Sequence, residues 1–481
     1  MLFSTPLFIF LFLPVVLVIY FALPAKLRNL FLVLVSLLFF AWGEGVYTLV
    51  LLISVSINYV FGIFIDAFRR QAKWILALAV AVNLGMLVHF KYAVFLVQNI
   101  GFLPWLKQIG LQKITGDSVH LPLGISFFTF HSISYLVDIY RKDGRAQKKP
   151  IDLALYISFF PQMIAGPIIR YHDISDQLSK RVVLPEDFAI GIRRFIIGLG
   201  KKVLIANTLA VPADQIFSIP SEQLTSSLAW LGIICYSLQI YFDFSGYSDM
   251  AIGLARMFGF RFLENFNYPY VSRSIQEFWR RWHISLSNWF RDYLYIPLGG
   301  NRVKPWRIYF NLVVVFFLCG LWHGASWNFV IWGMLHGTFL VLERLGLAGF
   351  LDKSAPWLGH VYTLLVIAIG WVFFRSKDLG SALVYLKTMA GFGQGMGIEY
   401  HVSLYLNCEV ALVLVLAMLG ATPLRSFFKT ARSRLNLAGI HVGQFSQALP
   451  LIDVSYLAMV FLVSMSYLAS GTYNPFIYFR F

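Results

Sequence analysis

Apolar runs long enough to cross a bilayer follow one another through this chain of 481 residues, with no long polar block between them. A spanning helix needs about 20 mostly apolar residues. Residues 7–23, 47–65, 74–90, 327–345, 356–374, 402–419 and 452–468 meet or approach that length, and 29–42 and 228–242 are shorter versions. Only 13% of the residues are charged, against about 25% in a soluble domain. The expected fold is therefore all-α: a polytopic membrane protein forming a single integral-membrane domain over 1–481, with about ten to twelve transmembrane or re-entrant helices. The first basic residue, Lys26, follows the first apolar run, so that run reads as a retained helix rather than a cleaved leader. No internal repeat is apparent, which weakens an inverted-repeat transporter reading.

The net charge of +16 would suggest nucleic acid in a soluble protein. Here the cations sit in short loops, at Lys26 and Arg28, at Arg69, Arg70 and Lys73, and over 141–150. That is the positive-inside pattern, with lipid headgroups as partners, no nucleic acid, and the N-terminus outside. Four segments break the rhythm. Residues 98–120 read as interfacial, and 122–140 as a weaker span carrying His131 and Asp138. Residues 153–169, with Pro161 and Gly166-Pro167, read as re-entrant or bent. Residues 188–209 carry Arg193, Arg194, Lys201 and Lys202 at helical spacing, the pattern of an amphipathic helix on the membrane surface. A basic loop is expected at 425–434 and an aromatic interfacial tail at 474–481. Cys235, Cys319 and Cys408 lie far apart in apolar surroundings and read as small buried hydrophobes, with no metal or disulfide spacing.

Polar chemistry concentrates in one stretch, Glu277 to Gly337, which holds seven of the 13 tryptophans. Ionisable groups in so apolar a chain are costly, so their default reading is functional. His323 follows the apolar 309–322 run and precedes Gly324-Ala-Ser326, where a backbone or ligand can approach closely. A buried neutral imidazole there can take a proton from a hydroxyl as general base; the plainer alternative is a histidine that only bonds neighbouring helices. His336 lies 13 residues further on, a turn of roughly 220° on one helix. It cannot share a site with His323 unless the helix breaks, and a structural or secondary role is expected. His283 stands beside Arg280, Arg281 and Trp282, a setting for an anionic or flat ligand such as the phosphate end of coenzyme A. The alternative is an interfacial segment with its cations on headgroups. Leu298-Gly-Gly-Asn-Arg302 is a turn, and Asp243 and Asp249, flanking two serines, read as helix caps. Neither HExxH nor HxxxxD occurs.

The motif text resembles the membrane-bound O-acyltransferase family, in its bacterial alginate O-acetyltransferase branch. The matching stretches are Pro161-Gln-Met-Ile-Ala-Gly-Pro167, Tyr241-Phe-Asp-Phe-Ser-Gly-Tyr-Ser-Asp249, Glu264-Asn-Phe266, Phe278-Trp-Arg-Arg-Trp-His-Ile-Ser-Leu-Ser287, Arg291-Asp-Tyr-Leu-Tyr295, Leu298-Gly-Gly-Asn-Arg302, Trp322-His-Gly-Ala325 and Trp332-Gly-Met-Leu-His-Gly337. The resemblance implies a ring of tilted helices around a central tunnel, with His323 as the signature catalytic histidine and His283 in the second, supporting position. It implies acetyl transfer from a cytoplasmic thioester, acetyl-CoA, through a bacterial inner membrane. The acetyl group would pass to a periplasmic SGNH-type partner or an alginate-like exopolysaccharide. Arg280, Arg281, Trp282, Ser285 and Arg302 are the expected donor-binding residues, with no permanently bound cofactor and no metal. Oxyanion donors would come from nearby Trp N–H, Ser or Asn328 groups. Cellulose or peptidoglycan acetylation, D-alanyl transfer to teichoic acid, and a non-enzymatic transporter are the alternatives.

Overall fold

A computed structural model describes residues 1–100, 120–424, 449–471 and 476. The basic loop expected at 425–434, most of 98–120 and nearly all of the 474–481 tail lie outside the described residues. Among the described residues the regular structure is helical throughout. Eight helical stretches are long and apolar enough to cross a membrane, and the first, Ala25–Ala67, is two helices joined by a break at Gly45. The apolar helices Phe8–Ala22 and Cys408–Gly420 are shorter. The protein is a multi-pass membrane protein.

Residues 150–170 enter and leave at the same end of the bundle. The Asn29 amide donates both to Asp152 (2.7 Å), near the start of the segment, and to the Leu178 carbonyl (2.8 Å), just beyond its exit. Between them the chain breaks at Phe159, restarts for one turn at Phe160–Met163, and runs extended to Arg170. Backbone groups freed by the break need partners away from water. Phe160 N–H donates to Ser36 Oγ (3.1 Å) and Ile168 N–H to Ser285 Oγ (3.0 Å). The neighbouring Ile125–Arg141 helix is buried almost throughout, so its polar residues face protein rather than lipid.

Residues 188–209 are not a surface helix. They belong to one helix of 33 residues, Pro185–Phe217, packed along Ser226–Met257. The cations that suggested headgroup contact face carboxylates instead. Arg194 pairs with Asp249 (2.8 Å) and with Glu264, Lys201 with Asp249 (2.7 Å), and Lys202 with Asp243 (2.6 Å). Asp243 and Asp249 accordingly stand mid-helix and are not caps. Cys235 and Cys319 are buried as expected, whereas Cys408 is exposed as the first residue of its helix.

At the end of the bundle that carries Arg69, Arg141 and Arg170, Asp138 joins three segments. It accepts the backbone N–H (3.0 Å) and Nδ1–H (2.9 Å) of His172 and the Tyr293 hydroxyl (2.7 Å). The hydrogen bond to Asp138 raises the His172 pKa above its ordinary value, burial opposing it. The protonated pair therefore contributes its full stabilisation below about pH 6.5, and that contribution is lost as pH rises through the raised native value. Thermal melting of the detergent-solubilised protein should fall as pH is raised from about 6, and His172→Asn should flatten that fall. Parallel melting curves for parent and variant would remove His172 from the account.

Candidate active site

The site is built on a helical hairpin. Pro305–His323 ends at His323, Gly324 is extended, and Ser326 caps Trp327–Leu342, its side chain accepting the Asn328 N–H (3.3 Å). The two helices meet backbone to backbone. A Cβ on Gly320 would strike the Phe329 carbonyl, and one on Gly333 would strike the Phe316 carbonyl. Small residues permit this approach where hydrocarbon gives no hydrophobic drive for helices to associate.

Closing the hairpin gathers the polar residues. His323 is only 6% exposed, and its ring lies 4.8 Å from Trp322, 4.8 Å from Trp332 and 5.1 Å from Phe374. Trp332 also stands 5.0 Å from His336, and Trp322 stands 6.2 Å from His283. Three histidines are thus linked through two indoles. His336 reaches this group because the helix does break, at Gly324–Ser326, and the second arm folds back along the first. Phe130 stacks on Trp289 (3.8 Å) and on Trp322 (5.3 Å) and forms the adjoining wall.

His283 is fully buried and left-handed, with φ 43° and ψ 55°. For a residue other than glycine that conformation costs roughly 1–2 kcal/mol, and such strain collects at functional positions. Asn265 Oδ1 accepts the Ser285 N–H (3.1 Å) and hydroxyl (2.9 Å) and lies 3.1 Å from His283 Nδ1. A backbone N–H can only donate, so the Asn265 atom is an acceptor and Nδ1 must carry the proton. Nε2 is left with its lone pair, and no partner meets it among the described residues.

The expected donor-binding residues separate. Arg280 lines a cleft of ≈ 400 Å³ together with Trp279, Arg291, Tyr295, Phe316 and Cys319. Cys319 is one helical turn before His323. Arg281 is held by Glu277 (2.8 Å) and the Asn267 carbonyl (3.1 Å). Trp282 is core, between Phe278 (5.5 Å), Phe266 (5.1 Å) and Trp371 (5.0 Å). Ser285 braces the re-entrant segment through Ile168, and Arg302 is exposed on the 296–304 loop. The aromatic and ionic neighbours that remove Arg281 and Trp282 from a ligand lie far away in sequence or within one turn, which adjacency to His283 does not reveal. Asn328 is likewise committed, its amide donating to the Ser376 carbonyl (2.8 Å). Trp332 Nε1 has no hydrogen-bond partner among the described residues.

His323 itself lines a second cavity, of ≈ 60 Å³, with Lys91, Leu121, Gly124, Ser126 and Trp322. Sequence reasoning assigned no role to Lys91, Tyr92 or Asn265. Asn265 lies inside a quoted motif, whereas Lys91 ends an apolar run and carries no local signal beyond that of an interface anchor.

Buried imidazoles thus lie in a multi-pass helical bundle, with a cavity beside His323 and a cationic cleft that reaches Cys319, one turn away. The chain belongs to the membrane-bound O-acyltransferase family, whose model matches residues 145–353, and it is an acyltransferase. It is 40% identical over 508 residues to the probable alginate O-acetylase AlgI of Azotobacter vinelandii, covering all of both chains. It is 41% identical to the peptidoglycan O-acetyltransferase of Helicobacter pylori, over 81% of this chain and 80% of that one. The teichoic acid D-alanyltransferase of Bacillus subtilis is 30% identical, over 53% of this chain and 69% of its own.

Replacing Asn265 by Leu removes the acceptor that fixes the His283 tautomer. Turnover should fall by about one to two orders of magnitude, the loss typical of misplacing a catalytic group, while the protein still purifies as a folded species. Wild-type turnover in Asn265→Leu would show that His283 needs no orientation.

Proposed function

We propose that this protein O-acetylates an alginate-like exopolysaccharide across the bacterial inner membrane, taking the acetyl group from acetyl-CoA or another acyl thioester on the cytoplasmic side. One observation carries the reading: His323 lines one opening, and a second of different character reaches Cys319, one helical turn away. The larger is lined by Arg280 and Arg291, at the end of the bundle that carries the basic loops. By the positive-inside rule that end is cytoplasmic. Its cations suit the phosphates of a coenzyme A, and its apolar walls lead to Cys319, a turn from His323. The smaller cavity faces the other end, beside the 121–126 segment where Ile125–Arg141 begins.

In the proposed reaction the acceptor hydroxyl oxygen bonds to the thioester carbonyl carbon while its proton passes to His323. The carbonyl π pair moves onto oxygen. Collapse of that oxyanion breaks the carbon–sulfur bond, and the departing thiolate recovers the proton from His323. The catalysts are those of general-base acyl transfer, with Trp332 Nε1–H as one donor toward the oxyanion. A cavity of ≈ 60 Å³ is about the room of a side chain or a single hydroxymethyl group rather than a polymer. That size favours an SGNH-type partner whose serine receives the acetyl group and carries it to the polysaccharide. The Helicobacter relative supports one second reading, with peptidoglycan as the final acceptor.

Two experiments test this. His323→Ala should abolish O-acetyl groups on the polymer in cells, and cut release of coenzyme A thiol in proteoliposomes by on the order of 10²–10⁴, with thermal melting unchanged. A conducting protein without chemistry would keep polymer acetylation in that variant. Arg280→Ala should raise the KM for acetyl-CoA several-fold and leave kcat nearly constant; an unchanged KM would remove the cleft as the donor site.

A further inference from the structure

The end of the helix that carries His323 is not closed by its own backbone. Gly324 is extended, and its N–H reaches the Gly320 carbonyl at only 3.4 Å. A helix C-terminus leaves four carbonyls without intrahelical partners and holds a partial negative charge. Residues 229 to 232 positions away in sequence supply what is missing. Tyr92 OH donates to the Leu321 carbonyl (2.6 Å), and Lys91 Nζ donates to the Trp322 carbonyl (2.5 Å) and, more weakly, to that of His323 (3.3 Å). Ser126 Oγ lies 3.4 Å from the same nitrogen. Lys91 and Tyr92 come from the π-helical turn Val88–Tyr92, whose irregular winding re-aims the side chains that leave it.

Two carbonyls and a hydroxyl around one nitrogen match the three N–H donors of an ammonium, which has no acceptor of its own. Among the described residues no carboxylate pairs with Lys91. Among those residues its charge meets only dipoles and the face of Trp322, and Lys91 lines the same ≈ 60 Å³ cavity as His323. A positive charge beside the place where a carbonyl oxygen turns anionic acts most strongly where water is excluded.

We infer that Lys91 is a positioning residue of this active site: it clamps the end of the Pro305–His323 helix, which fixes the His323 ring, and brings a positive charge to the cavity where the oxyanion forms. The inference rests on the acyl-transfer reading above. Both functions come from one amine, so they are separated by keeping the donors and removing the charge. Lys91→Gln retains an amide that can donate to the carbonyls, whereas Lys91→Arg retains the charge.

The test uses the full chain in proteoliposomes, with acetyl-CoA as donor, water as acceptor and thiol release as the signal, alongside thermal melting. Lys91→Gln should lower kcat on the order of 10²-fold with the KM for acetyl-CoA within about threefold and melting close to wild type, and Lys91→Arg should recover most of the lost rate. Three outcomes overturn the inference: Lys91→Gln turning over like wild type, Lys91→Arg as impaired as Lys91→Gln, or a loss of rate that only follows a loss of melting temperature. A wild-type protein that acetylates the polymer in cells yet neither releases thiol nor binds acetyl-CoA would instead sink the coenzyme A thioester as donor, and this inference with it.

Discussion

Backbone contact between Gly320 and Gly333 is the interaction on which the chemistry depends. It lets two helices of the hairpin close without side chains between them. Everything polar then falls on the flanks of that contact: Trp332 between His323 and His336, and Trp322 between His323 and His283. A larger residue at either glycine would push the arms apart by the width of a side chain and dissolve the shared indole contacts. In a bilayer, where apolar surface gains nothing by leaving lipid, such close packing is one of the main forces available.

A second constraint is that ionisable groups at this depth need protein partners. The long Pro185–Phe217 helix meets it with carboxylates from Ser226–Met257, matched along the antiparallel pair from Arg194–Asp249 to Lys202–Asp243. Buried pairs of this kind are weak evidence for net stability, because desolvation offsets much of their attraction. Their consequence here is registry, since Asp249 takes both Arg194 and Lys201 while Asp243, further along, takes Lys202. Around His283 the solution is different, because hydrogen bonds through Asn265 and Ser285 replace charge pairing. That network leaves Nε2 free to accept. Ser285 in turn holds the re-entrant segment through Ile168, so one hydroxyl couples that segment to the Asn265–His283 network.

His323 and His283 stand out in the sequence because they combine two signals: an ionisable group inside an apolar chain, and motif text that matches a family residue by residue. The residues expected to bind the donor part company in the fold. Arg280 lines the cationic cleft, but Arg281 and Trp282, its neighbours in the chain, point into an ion pair with Glu277 and an aromatic core with Trp371. Adjacent residues on a short helix face different surroundings, so proximity to His283 in sequence could not sort them. His336 was set aside on the premise of a continuous helix, and the extended backbone at Gly324 removes that premise.

The sequence by itself determined that this is a helical protein of the membrane, because apolar length and scarcity of charge report which solvent a segment must avoid. It determined a broken path at 153–169, because proline and glycine act on the local backbone wherever they stand. Tertiary structure alone decided which surface of the Pro185–Phe217 helix meets protein, which arginine meets a cleft, and which lysine closes the helix that ends at His323. The reason is that periodicity encodes what a side chain turns away from, while the identity of what it meets is set by packing between segments hundreds of residues apart, as Lys91 and Trp322 are.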